Sequence, residues 1–113
     1  MTRIEIIRRD DVRLTVTITD DEGNPLNLTG ATVYFTVKEN RLDSDEDALI
    51  TAEVTSHVNP TGGLTEIDLT QEQTDLEARS YFFDVQVKDA SDRIRSINYG
   101  LIRVQQDITV RTN

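Results

Sequence analysis

The chain has 113 residues, no cysteine and a formal net charge of −9 at pH 7. This length fits one domain spanning residues 1–113, which we expect to fold without disulfides or cysteine-bound metals. The acidic surface disfavours nucleic acid, because phosphate backbones are negatively charged as well. No apolar run approaches the roughly 20 residues of a membrane-spanning helix, and no signal peptide is recognisable. We therefore expect a protein that is made in the cytoplasm and does not bind membranes.

Alternating apolar and polar residues predict β-strands from one end of the chain to the other. After the N-terminal segment, residues 12–19 show the clearest case, with every second side chain apolar. This pattern is typical of a half-buried strand in an antiparallel sheet. A turn rich in Asp, Gly and Asn at residues 20–25 then leads to a further strand at residues 31–38.

The second half of the chain continues the pattern. Strands are predicted at residues 49–56, 64–69, 80–88 and 93–105. Gly100 interrupts the last of these strands and predicts either a bulge or a change of partner. Ile108 and Val110 extend the alternation further. Turn signals separate the strands at intervals of about 8–12 residues, which is typical of a two-layer antiparallel sandwich of about seven strands.

One segment differs from its neighbours. In residues 70–76, Thr70 and Gln73 have the spacing of a helix capping box, so we predict one short helical turn that ends with Leu76 against the core. Tyr81 follows this corner at the start of the sixth strand. We predict that its ring is buried and that its hydroxyl bonds a backbone group near Asp75 or Leu76, as in a tyrosine corner.

Residues for catalysis are scarce. His57 is the only histidine, and a lone imidazole is more often a surface residue than a catalyst. The sequence has no Gly-x-Ser-x-Gly elbow and no Gly-rich phosphate loop. We therefore expect a protein that is not an enzyme and that holds no cofactor.

An acidic loop is the main candidate for metal binding. Asp43, Asp45 and Asp47 have the spacing that opens a calcium loop. The pattern then fails, because Ala48 occupies the place of the turn glycine and Val54 that of the bidentate glutamate. Two interpretations follow: a weak calcium site, or a solvated loop that adds solubility and discourages edge pairing.

The aromatic residues divide by parity. Alternation places Phe35, Tyr81 and Phe83 in the core. The remaining three have the opposite parity: Tyr34, Phe82 and Tyr99. They either cover a second apolar surface or lie on the outer face as anchors for a partner, a role in which exposed aromatics are common.

The order of motifs along the chain resembles a known family. The motifs that carry the resemblance lie at residues 21–30, 31–38, 59–63, 81–87 and 99–104. Over about residues 4–109 they are similar to the N-terminal immunoglobulin-like domain of tailed-phage baseplate upper proteins and related tail modules. Two positions depart from the family pattern: Ser80 stands where a glycine usually precedes the tyrosine of the sixth strand, and Ser96 stands where a threonine is usual.

This resemblance implies an immunoglobulin-like fold and a structural role in a virion, after synthesis in the host cytoplasm. The implied protein is a tail or baseplate adaptor that docks on other virion proteins in several copies around a symmetric core. A capsid decoration or head–tail completion protein is the alternative, and a surface carbohydrate- or protein-binding module is a third. We expect contacts from exposed β-edges, from residues 1–8 and 105–113, and from the outward aromatics.

Overall fold

The computed structural model describes residues 2–106 and shows seven strands. Their bounds are β1 Thr2–Ile7, β2 Val12–Thr17, β3 Thr32–Lys38, β4 Ile50–Val54, β5 Leu64–Leu69, β6 Ser80–Lys88 and β7 Ile94–Gln105. Each downstream strand lies within two residues of its predicted bounds. The predicted extension by Ile108 and Val110 lies outside the described residues.

The strands form two sheets of unequal size. One sheet has five strands in the order β1-β7-β6-β3-β4, and the other pairs β2 with β5. The prediction of an all-β, immunoglobulin-like sandwich is thereby confirmed. It was wrong in one detail, because β1 runs parallel to β7 whereas every other pair is antiparallel.

Alternation builds the core along the inner face of the five-stranded sheet. β3 contributes Val33, Phe35 and Val37, all buried, and β6 contributes Tyr81 and Phe83 in the same way. The rings of Phe35 and Phe83 pack with their centroids 5.8 Å apart. Full burial of such a side chain contributes about 1.5–3 kcal/mol, so this face supplies much of the stability of the fold.

A loop completes the second layer, since the two-stranded sheet is too small to cover the core. Ile18 and Leu28 lie in this loop and are fully buried. The Ile18 N–H donates to the carbonyl oxygen of Gly63 at 2.8 Å. Gly63 has a φ of +72°, and a side chain there would collide with the carbonyl oxygen of Ile18. This close approach therefore requires glycine.

The corner before β6 contains a capping box but no helix. The Thr70 N–H donates to the Gln73 side chain at 2.9 Å, and the Gln73 N–H donates back to the Thr70 hydroxyl at 3.2 Å. Only one turn follows, closed by a bond from the Thr74 N–H to the Thr70 carbonyl at 3.0 Å. The buried Thr74 hydroxyl donates to the Asp10 carbonyl, which ties the turn to another loop instead of continuing a helix.

Within the described residues, helical structure occurs where a loop was predicted. Among residues 2–106, the one assigned helix is the short 3-10 helix Asp45–Asp47 in the acidic loop. No helix in this part of the chain has the length and apolar character needed to cross a membrane.

Candidate interaction surface

The outer face of the five-stranded sheet brings together the outward side chains of β3, β6 and β7. The strand register places Asp84 of β6 directly opposite Thr36 of β3 and Tyr99 of β7. Phe82 lies two residues away along β6, and Tyr34 is a diagonal neighbour on β3. The three aromatic residues predicted to point outward therefore surround one carboxylate.

A β-bulge lets β7 residues on both sides of it line this face. The register shifts between Val85 and Gln86, which leaves Ile97 as an extra residue on β7. One extra residue reverses the parity of the side chains that follow it. Ile94 and Tyr99 consequently both line the outer face, although they are five positions apart and a regular strand would place them on opposite faces.

Gly100 does not mark the bulge, and β7 keeps β6 as a partner on both sides of this glycine. The bulge lies three residues earlier, at Ile97. Gly100 instead pairs with Phe83 on one side and with Thr2 on the other, so it is where β7 gains β1 as a second neighbour.

The outer face forms a groove of about 640 Å³. Its lining includes the three aromatics together with Ile94, Asp84, Lys38, Lys88 and Arg41. Tyr34 and Phe82 are half-buried, whereas Tyr99 is 57% exposed. Exposed aromatic and aliphatic side chains in a concave site are typical anchors for a protein partner. The groove is therefore the candidate interaction surface.

Of the two carboxylates that line the groove, Asp45 pairs with Lys38, and Asp84 has no close cation in the described part of the chain. Among residues 2–106, its carboxylate accepts no hydrogen bond and has no cation within 4 Å. Burial raises the pKa of the Asp84 carboxyl above its ordinary value, and the more distant Lys38 ammonium offsets part of that rise. Sequence reasoning missed this residue, although its parity with Phe82 was a signal that it faces outward.

The two lysines of the groove are paired with other groups. Lys38 donates to Asp45 at 2.8 Å and to the carbonyl oxygen of Asp43 at 2.9 Å, and the bond to Asp45 raises the pKa of Lys38. The Lys88 ammonium lies 3.7 Å from an Asp92 carboxylate oxygen. Both ammonium groups thus neutralise carboxylates at the rim, outside the centre of the groove.

The acidic loop does not assemble the predicted calcium ligands. Its three candidate residues, Asp43, Asp45 and Asp47, accept hydrogen bonds from three different donors. These donors are the Asn40 N–H at 3.1 Å, the Lys38 ammonium at 2.8 Å and the Ser44 hydroxyl at 3.1 Å. Within residues 2–106 no group of three acidic or histidine side chains is placed to hold a metal ion.

The same loop supplies the rim of the groove. The guanidinium carbon of Arg41 lies 5.8 Å from the centroid of the Tyr99 ring, within the range of a cation–π interaction. The next residue, Leu42, is 99% exposed. The loop therefore adds one cation and one apolar side chain beside the aromatic surface.

Tyr81 occupies a corner close to the predicted one. Its ring is 4% exposed, and its hydroxyl donates to the carbonyl oxygen of Glu77 at 2.7 Å. The prediction was a backbone group near Asp75 or Leu76, and the observed acceptor belongs to the residue directly after Leu76. Leu76 is half-buried and packs against the core as expected. Burial raises the pKa of the Tyr81 hydroxyl, so it remains a donor at neutral pH.

His57 has a structural position that the sequence did not indicate. The half-buried ring places Nε2 at 2.8 Å from the carbonyl oxygen of Ala31, so Nε2 is the donor of that bond. The other nitrogen, Nδ1, lies 2.9 Å from the hydroxyl of Thr65, which is fully buried. Both nitrogens are thus occupied in joining β5 to the loop before β3.

The edges of the five-stranded sheet are β1 and β4. β1 covers most of the N-terminal segment predicted to contact partners, and within residues 2–106 it pairs with β7 alone. β4 likewise pairs only with β3 and has the exposed side chains of Thr51 and Glu53. Met1 and residues 107–113, which belong to the predicted terminal contacts, lie outside the described residues.

Comparison with known proteins adds a family to this geometry. The family model described as the BppU N-terminal domain matches residues 4–111. No curated protein matches the chain. Among solved structures, AggA, the major subunit of aggregative adherence fimbriae type I from Escherichia coli, is similar at 10% identity and a TM-score of 0.34. The match covers 95% of this chain and 91% of AggA, and at this TM-score it carries no argument about function.

Proposed function

We propose that this chain, which belongs to the family of BppU N-terminal domains and is a phage baseplate structural protein, acts as a non-enzymatic adaptor that docks on other virion proteins. Several copies would do so around a symmetric core, as virion parts commonly do. The aromatic groove on the outer face of the five-stranded sheet is the docking surface. The family match supports the baseplate setting, and the groove supports this way of docking.

The groove is the single observation that carries the proposal. Tyr99 and Ile94 are among the most exposed large apolar side chains of the described residues, and both line the groove. Half-buried Tyr34 and Phe82 continue the apolar surface inward. Covering such side chains removes apolar area from water, which drives association.

The edge strand β4 offers a second contact beside the groove. It follows Tyr34 and Thr36 of β3 across the sheet, so a partner seated on the outer face also reaches this edge. An added strand gains main-chain hydrogen bonds, and alternate side chains then set its register. Glu53 and Thr51 keep the uncovered edge polar, which limits unwanted pairing of free subunits.

A substitution in the groove tests the proposal. Tyr99→Ser removes the most exposed aromatic of the surface, and we expect incorporation into particles to fall at least about tenfold because the side chain is a central anchor. Phage particles assembled with each variant are purified, and the copies of this protein per particle are counted by quantitative mass spectrometry.

Val58→Ser is the matched control, because Val58 is also 57% exposed but lies on the loop between β4 and β5, away from the groove. Unchanged melting temperatures establish that both variants are folded. Equal incorporation of the two variants contradicts the groove as docking surface. Absence of the wild-type chain from every purified particle contradicts the adaptor role itself.

A further inference from the structure

We propose that the groove receives an arginine side chain of the docking partner, with its guanidinium against Asp84 and between the surrounding aromatic rings. This inference rests on the proposed function and deepens it, since it assigns the chemistry of the partner at the centre of the docking surface. It follows from the position of Asp84, the pairing of the two neighbouring lysines, the aromatic walls and the charge of the chain.

Asp84 is central on the outer face. It lies on β6, the middle strand of the five, with Thr36 and Tyr99 directly opposite on the two sides. Phe82 precedes it along the strand on the same face. A partner side chain that enters the groove at its centre therefore meets this carboxylate first.

The charge of Asp84 has no close partner in the described chain. Lys38 is bonded to Asp45 and Lys88 lies near Asp92, so neither ammonium closes an ion pair with Asp84. Burial disfavours the charged carboxylate, as the raised pKa of Asp84 shows. A cation from the partner would offset the cost of keeping the buried carboxylate charged, and this electrostatic stabilisation arises only when the partner docks.

The aromatic rings select the shape of the cation. A planar guanidinium stacks on aromatic faces and binds a carboxylate through two parallel hydrogen bonds, whereas an ammonium does neither as well. Arg41 of this chain already holds its guanidinium 5.8 Å from the Tyr99 centroid. The walls of the groove therefore accept the very group that we assign to the partner.

Charge complementarity points in the same direction. The chain has a net charge of −9, so a partner surface with positive charge is attracted at long range. An aspartate or glutamate entering the groove would instead meet the unpaired Asp84. The net charge of the chain and the carboxylate at the centre of the groove thus both favour a basic side chain.

The first experiment uses the free protein and short capped peptides. Gly-Arg-Gly is titrated into ¹⁵N-labelled protein, and we expect shifts of the amide signals of Phe82, Asp84 and Tyr99. Asp84→Asn should weaken the apparent affinity about tenfold, the size of one lost charge-assisted hydrogen bond. Asp21→Asn is the matched control, because Asp21 lies in an exposed turn and does not line the groove, and it should leave the affinity unchanged.

A neutral isostere separates charge from shape. The peptide Gly-citrulline-Gly keeps the size and planarity of arginine without its charge, and we expect it to bind about tenfold more weakly. Equal shifts with both peptides, or equal affinity of wild type and Asp84→Asn for Gly-Arg-Gly, would overturn the assignment. Shifts spread over the acidic surface and abolished equally by Asp21→Asn would overturn it as well.

Particle assembly distinguishes this inference from the function on which it rests. Asp84→Asn should lower incorporation, as Tyr99→Ser does, while Asp21→Asn should not. If Tyr99→Ser lowers incorporation and Asp84→Asn does not, the groove is the docking surface but the arginine assignment is wrong. If neither the wild type nor any variant is incorporated, the proposed function itself fails.

Discussion

The two faces of the five-stranded sheet are built from the same strands but have opposite chemistry. On the inner face, Phe35 and Phe83 are buried against each other, and the side chains beside them are apolar. On the outer face, half-buried Asp84 and exposed Tyr99 lie opposite each other. The inner face buries its own residues, whereas the outer face leaves one carboxylate without a close cation among the described residues and its aromatic rings partly exposed.

Along β6, the residues that stabilise the fold alternate with the residues that line the groove. Successive residues of β6 point to opposite faces, so Phe83 contributes to the core while its neighbours Phe82 and Asp84 contribute to the groove. Substitutions at adjacent positions should therefore have unrelated effects. Measurements of stability at these positions test whether the two faces are independent.

The largest effect is expected at the inner face. Phe35→Ala should lower the free energy of unfolding by about 3–5 kcal/mol, because a fully buried ring is lost and a cavity remains. Phe82→Ala is the control on the outer face and should cost about 1 kcal/mol or less, since the ring is only half-buried. Urea denaturation measures both, and similar losses for the two variants would contradict the division of faces.

An intermediate effect is expected at the tyrosine corner. Tyr81→Phe should lower the free energy of unfolding by about 1–3 kcal/mol, because the carbonyl oxygen of Glu77 loses its donor in a largely buried site. Tyr99→Phe removes a hydroxyl from an exposed ring and should change stability by less than about 0.5 kcal/mol. A loss at Tyr81 no larger than that at Tyr99 would show that the corner bond contributes nothing.

The smallest effect is expected at Asp84, and its sign depends on pH. The pKa of Asp84 is raised in the folded state, so above the unfolded value of about 3.9 the folded protein binds the extra proton and its stability falls as pH rises. Asp84→Asn removes this loss. Its stability relative to wild type should be greater at pH 7 than at pH 3.5, by less than about 1 kcal/mol because the group is partly screened.

Urea denaturation of both proteins at the two pH values tests this sign. Asp21→Asn at an exposed turn should give the same relative stability at both. A relative stability of Asp84→Asn that is higher at pH 3.5 than at pH 7 would show that the folded protein favours the charged carboxylate. The conclusion that the outer face leaves the Asp84 carboxylate without a compensating partner would then be wrong.

The sequence predicted the strands but not all of their pairings. Alternation is a local signal, so β5 and β6 were found with the bounds that the structure has. The parallel pairing of β1 with β7 joins residues about 100 positions apart, and no local pattern specifies its direction. The small size of the second sheet, which has only two strands, was not foreseen either. Buried residues of a loop, such as Ile18 and Leu28, take the place of further strands there, and no local pattern shows this.

The candidate site was predictable only in part. Parity identified Tyr34, Phe82 and Tyr99 as outward residues, and the structure brings them together in one groove. Asp84 was not distinguished, since the chain has 21 acidic residues and only the register shows which one lies at the centre. The bulge at Ile97 could not be placed either, because it reverses the parity on which the prediction rests.

The parallel pairing of β1 and β7 has a mechanical consequence. The register joins Thr2 to Gly100 and Ile7 to Gln105, so the two strands point the same way along six paired positions. Tension applied at Thr2 and at Gln105 pulls the strands in opposite directions along their length. All the hydrogen bonds between them are then loaded in shear at once instead of opening one after another. The N-terminal strand thus closes the sandwich against forces that act from one end of the chain to the other.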